Sequence, residues 1–396
     1  MERSTRHYDV PDTVPFRKGD RWGFVNQAGD TVIPFEYGFA SPFVEDRASV
    51  LDRNTGLGTY LDREGKPIAP FIYTKVVPFQ HGLGIIMLDG KWGALNKDGE
   101  EVITAEYERL FLHDIPMHGY IYAKHGGKWG VIDQQGREVK PFIYDEIGQL
   151  KTGDDDLISV KLNSSYGFMG KNLEWVIPPK EGRYFPGQFN DGLIPIREGN
   201  LSGFLNDKGR EVIPPQYYEV GNFGEGLAPV KVNLNDKVWY FIDTQGERVK
   251  EVEVYSMGYF SHGVAPVEFQ DETEGYLNKN FEVIFKGNYW LNDFEDGYGV
   301  ISQKDGDGLF GAVDEKGDTF LEVKYEYLQY RKEYDLFVFW ENGLKGLMTP
   351  DKEIVFPAEA KNIDWTTKWY ENLVLITTPD NREGYIDLNG RKYYSN

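Results

Sequence analysis

The chain repeats one short passage from end to end. The passage is Gly-apolar-apolar-Asp/Asn-x-x-Gly. Aligned on it, successive copies close at Gly29, Gly65, Gly99, Gly136, Leu173, Gly209, Gly246, Phe281, Gly317, Lys352 and Gly390. That makes 11 units at intervals of 34 to 38 residues. So narrow a spread predicts a tandem array with one supersecondary unit per repeat, each burying its apolar face only by stacking on a neighbour. No Pro-, Ser- or charge-rich linker interrupts it. Residues 1–13 read as a polar tail and 14–396 as a single continuous array, with degenerate units near 166–180, 274–290 and 345–360.

Within a unit the sequence reads as strands, without a helical period. In unit six, segment A is Gly203–Asn206 and segment B is Glu211–Pro214, and segment C of the following unit is Gly226–Val232. Nine units have Asp or Asn where the A-to-B turn opens and eight have Gly where it closes. The first can fold its side chain back onto the backbone, and the second can take positive φ. Each unit is therefore expected to be a three-stranded antiparallel meander, C–A–B. Between B and the next C stands a Tyr eight residues past the turn closure, at Tyr37, Tyr73, Tyr107, Tyr144, Tyr217, Tyr289 and Tyr325. A Phe-x-x-Gly follows, complete at Phe79, Phe189, Phe223, Phe260 and Phe294. Aromatic rings at fixed repeat positions are expected to pack between neighbouring units.

The stretches KWGVIDQQG, VIPPQYYEVGNFGEGLAPVKVN and HGVAPV resemble the WG (KWG) repeat family of bacterial tandem β-repeat proteins. The resemblance implies an all-β array used as an interaction platform, with no catalytic residues to carry over. Units five, eight and ten depart from the pattern by lacking the turn Gly, and units eight and ten also lack the motif Trp. Eleven units of three strands favour an open, curved, superhelical stack of blade-like meanders, with a closed or paired β-propeller as the alternative. The chain begins on a C strand and ends after the matching A and B, so every unit is expected to be complete in its own segment.

Composition narrows the partners. The formal charge is −21, which disfavours nucleic acid and anionic membrane surfaces and suits a basic protein partner. There is no Cys, hence no disulfide, thiolate metal site or Cys nucleophile. The polar N-terminus and the lack of any long apolar run give a cytoplasmic protein as the expectation. No phosphate loop, nucleophile elbow or zinc-protease motif is present. No catalytic, cofactor or metal residues are assigned, and the expected role is that of a non-enzymatic protein-interaction scaffold. The other classes weighed are a glycan-binding repeat protein and a single-cleft hydrolase. His113, His118 and His125 cluster without ligand spacing, and Lys304–Gly308 resembles half a calcium loop but sits where a hairpin is expected. The run Thr152–Leu157 reads as a solvated turn or as a rim of charge.

Four Trp residues belong to the motif (Trp22, Trp92, Trp129 and Trp239) and read as core. Trp175, Trp290, Trp340, Trp365 and Trp369 do not, and four of these fall in the last third, where the repeat decays. They are either irregular core fillers or interface anchors. The segment Asp271–Phe310 holds nine Asp or Glu against three Lys. The candidate partner-binding set is therefore Trp290, Trp340, Trp365 and Trp369 with Asp293, Glu295 and Asp296.

Overall fold

A computed structural model describes residues 9–111, 119–148, 157–185, 187–364 and 372–395. Among them the regular structure is all β, with 41 strands and no helix. The chain forms two compact units, one of residues 1–143 with 342–396 and one of residues 144–341.

The turns follow from side-chain chemistry. Asn206 Oδ1 accepts from the backbone N–H of Lys208 (3.0 Å) and Arg210 (2.9 Å). Asp243 Oδ1 does the same for Gln245 and Glu247, at 2.9 Å each. All eleven turn-closing residues have positive φ, including the three that are not Gly: Leu173 (60°), Phe281 (62°) and Lys352 (66°). The repeat phase read from the sequence is therefore the structural phase.

Two motif glycines are required by space, and the turn-closing one by its positive φ as well. Opposite Gly23, in the Trp-Gly pair, the B strand bulges. Trp22 pairs with Tyr37 and Phe24 with Ile33, so Pro34, Phe35 and Glu36 stand against one residue. A Cβ on Gly23 would meet the Ile33 carbonyl at 2.7 Å, and one on Gly203 would meet that of Ile213 at 2.3 Å. The turn-closing Gly instead lies against the B strand of the preceding unit. A Cβ on Gly209 would come within 2.7 Å of the Val176 carbonyl, and one on Gly317 within 1.9 Å of that of Ile284.

Each regular unit has four strands, not three. In one sheet the order is Glu219–Val220, Leu227–Lys231, Val238–Asp243, Arg248–Glu253. The last three are C, A and B as expected; the first is the link that carries the aromatic pattern. Eight sheets are of this four-stranded kind. The link strand is often only two residues long, too short to show a period of two in sequence. The Phe-x-x-Gly pattern marks how it turns into C. In Gln80–Leu83 the two ends exchange backbone hydrogen bonds of 2.9 and 3.1 Å around His81 (φ 52°) and Gly82 (φ 79°). Two successive positive φ values make the tight hairpin that matches strand twist. The Phe rings are buried and pack on the A strand of the preceding unit: Phe79 lies 4.8 Å from Tyr60 and Phe223 4.8 Å from Phe204, both edge-on. Packing between neighbouring units is thus what the recurring aromatics supply.

The ninth sheet corrects the expectation that every unit is complete in its own segment. It has nine strands, and its order places Lys392–Ser395 beside Thr13–Lys18. The two pair in parallel, Arg17 with Tyr394 and Lys18 with Ser395. In the other units the outer edge of C is covered by a link strand. Among the described residues no link strand precedes the first C strand, and the last B strand takes that edge. Arg17, only 2% exposed, secures the junction by donating to the backbone carbonyls of Glu383 (2.5 Å) and Gly19. Burial depresses its pKa, with Arg382 adding to the effect.

Candidate functional site

The predicted partner-binding residues fall in different environments. Trp290 lies on the link strand Tyr289–Glu295 and is 56% exposed. The Lys304 ammonium sits 4.4 Å from its ring centroid, a cation–π contact. Lys304 is itself held by the Glu274 carboxylate at 3.0 Å and by the Glu272 carbonyl at 2.6 Å. Glu274 also accepts from the Leu291 N–H at 2.8 Å. An aromatic surface is thereby fixed in place by a largely buried ion pair.

Trp340 is half-buried, pairs with Tyr327 across the sheet and packs on its ring at 5.2 Å. Part of its ring is thus taken up in packing within the sheet. Glu295 contacts Lys332 at 3.4 Å and Asp296 contacts the His262 ring at 3.1 Å. Asp293 belongs to the same strand as Trp290. Trp365 and Trp369 lie outside the described residues. Trp175 is half-buried, edge-on to Tyr144 at 6.4 Å. Of the motif Trp residues, Trp22, Trp129 and Trp239 are buried and Trp92 is half-buried.

The Asp296–His262 contact is one step in a series. The residue just before the Gly of Phe-x-x-Gly repeatedly reaches the same turn of the next unit. Asp191 accepts from the Gly226 N–H at 2.7 Å, and Glu225 from the Gly263 N–H at 2.7 Å. Glu225 also pairs with Lys279 at 3.1 Å. Burial alone would raise the Glu225 pKa, but the Gly263 amide and Lys279 outweigh it and the net shift is downward. Much of the acidic character at these turns is therefore structural.

The other motifs singled out in sequence are absorbed by local structure. His125 packs edge-on against Tyr107 and Phe142; His113 and His118 lie outside the described residues. In Lys304–Gly308, Asp305 accepts from the Asn288 side chain, and Gly306 and Gly308 have positive φ. Of the run Thr152–Leu157, residues 152–156 lie outside the described residues.

Sequence reasoning missed a cavity of about 460 Å³ near the predicted surface. Its walls come from the link, C and A strands of one unit and the link segment of the next. Asn292 and Glu295 contribute from the first link, and Tyr327, Gln329, Tyr330 and Arg331 from the second. The Tyr330 hydroxyl donates to Asp335 at 2.5 Å; burial, then that carboxylate, raises its pKa. The one sequence signal was the density of polar and aromatic residues in these links, and it does not distinguish a wall from a surface.

A family model described as "WG containing repeat" matches residues 22–54, 59–92, 92–129, 129–164 and 203–235. No curated protein matches the sequence. Among solved structures, a eukaryotic initiation factor aligns over 96% of this chain and 94% of its own at 10% identity and a TM-score of 0.41. The Neurospora crassa Pan2 WD40 domain aligns over 64% of this chain and 91% of its own at 12% identity and a TM-score of 0.32. Kluyveromyces lactis Hsv2 aligns over 65% and 93% at 12% identity and a TM-score of 0.31. The Trp-Gly pair, the turn that follows it and five matched segments together make this chain a WG-repeat protein.

Proposed function

We propose that the chain is a non-enzymatic, cytoplasmic protein-interaction scaffold: a stack of blade-like units with an acidic, aromatic contact surface centred on Trp290. The observation that carries the reading is the exposure of Trp290 in a chain whose motif Trp residues are buried or half-buried. Immobile aromatic rings are favoured anchors at protein interfaces, because little side-chain entropy remains to be lost. The Lys304–Glu274 pair supplies that immobility. The acidic excess of Asp271–Phe310 would steer a basic partner toward the ring. The test is parallel affinity capture with the native chain and with Trp290→Ala. The partner should be lost with the variant, and its capture by the native chain should weaken as salt rises. An unchanged set of captured proteins would remove Trp290 from the interface.

A further inference from the structure

We infer that the cavity between the two link strands is a binding site for a neutral saccharide, separate from the Trp290 surface. Trp290 is not among its lining residues, so the two sites can be tested independently. The volume of about 460 Å³ lies within the roughly 300–1,000 Å³ usual for small-ligand sites, with room for a mono- or disaccharide.

The electrostatics disfavour an ion of either sign. Glu295 and Glu333 line the cavity together with Arg331, and Lys332 stands 3.4 Å from Glu295. An entering cation meets a guanidinium, and an entering anion meets two carboxylates. A ligand that both donates and accepts hydrogen bonds while carrying no charge fits such walls. Several wall groups are available for it. Among the described residues, the Gln329 amide, the Tyr327 hydroxyl and the Glu333 carboxylate have no hydrogen-bond partner. The Asn292 side chain uses only its nitrogen, donating to the Val300 carbonyl at 3.3 Å.

The aromatic geometry narrows the class further. Tyr327 is held between Phe310 and Trp340, each 5.2 Å away between centroids. It is a supported ring of the kind on which the C–H face of a sugar can rest. Phe310 and Tyr327 touch each other at 55°, so they leave no parallel slot for a planar nucleobase.

The experiment is calorimetric titration of the full chain with maltose, cellobiose and lactose at millimolar concentration. At least one should bind. Gln329→Ala should weaken that binding about tenfold, the equivalent of one hydrogen bond, without changing the melting temperature. Tyr327→Ala should abolish it, and Trp290→Ala should leave it intact. The inference is overturned if none of the three sugars binds, or if binding is indifferent to Gln329→Ala. It is also overturned if a lysine-rich peptide binds with the same dependence on Gln329, because the cavity would then receive a protein side chain.

Discussion

Gly246 and Phe281 close the same turn one repeat apart. The openers behave alike: Asp243 accepts from the N–H groups of Gln245 and Glu247, and Asn278 from those of Asn280 and Glu282. The closers donate back alike, Gly246 to the Asp243 carbonyl at 2.9 Å and Phe281 to the Asn278 carbonyl at 2.8 Å. Both have positive φ, 85° and 62°. A side-chain-bearing residue held there costs about 1–2 kcal/mol. Phe281 offsets that cost by packing its ring 5.3 Å from Phe241 and 5.8 Å from Phe260. The opener therefore sets the turn, and the closer needs only to tolerate it. Loss of the consensus Gly in unit eight is a change of packing, not a loss of structure. Sequence decay by itself is thus a poor pointer to a binding surface, whereas what sets Trp290 apart is its exposure.

The comparison breaks most visibly at the Trp residues. Trp129 is buried and stacks on Phe111 at 5.6 Å, whereas Trp290 is mostly exposed. Trp129→Ala should cost about 3–5 kcal/mol, and Trp290→Ala no more than about 0.5 kcal/mol. Chemical denaturation of both variants measures this. Equal losses would mean that the off-motif Trp is core after all.

The turn glycines themselves are not equivalent. A Cβ at Gly317 would lie 1.9 Å from the Ile284 carbonyl, whereas at Gly136 the nearest atom is 3.7 Å away. Gly136→Ala should cost only the conformational term, about 1–2 kcal/mol, and Gly317→Ala about 3 kcal/mol because a neighbouring strand must also move. If the two losses match, conformation alone explains the motif Gly and close approach is irrelevant.

How much of this was legible beforehand depended on range. The phase of the repeat, the Asx turns and the inter-unit aromatics are local. The repeat shows them again and again, and the residues that carry them (Asn206, Gly209, Phe223) could be read directly. The link strands were missed because Glu146–Ile147 or Arg183–Tyr184 is too short to show alternation. The pairing of Arg17 with Tyr394 has no local signal at all, since nothing near either residue reports the other. That pairing also changes what an experiment can ask. A chain ending near residue 286 would leave Thr13–Lys18 without its edge partner, so point substitution at Trp290 is the cleaner probe. The cavity escaped for a related reason: its walls come from two links about 35 residues apart, and neither link alone encloses anything.

The series of turn-to-turn hydrogen bonds gives the comparison a pH dependence. The folded-state pKa of Glu225 lies below the ordinary value of a glutamate, so its contribution to stability is complete above that ordinary value. The contribution is lost as pH falls through the lower folded-state pKa, since protonation there is linked to unfolding. Melting temperatures from pH 7 downward should therefore drop more steeply in the native chain than in Glu225→Gln. Parallel curves would mean that the Gly263 N–H is equally well satisfied by a neutral side chain.

The smallest effect is the most discriminating, because its sign is at stake. Lys352 closes the turn of unit ten at φ 66° and is exposed. Its opener is Thr349, whose hydroxyl accepts from the Glu353 N–H at 3.2 Å. Unlike Phe281, Lys352 buries no ring to offset the left-handed backbone. Lys352→Gly removes the conformational cost at the expense of a more flexible unfolded chain, and should stabilise by about 0.5–1 kcal/mol. Phe281→Gly removes the same cost but also a packed ring, and should destabilise by about 2–3 kcal/mol. Opposite signs from one substitution at equivalent positions would establish that ring packing offsets the lost Gly in unit eight and has no counterpart in unit ten. Destabilisation at both sites would instead show that the exposed Lys352 side chain makes contacts worth more than the strain.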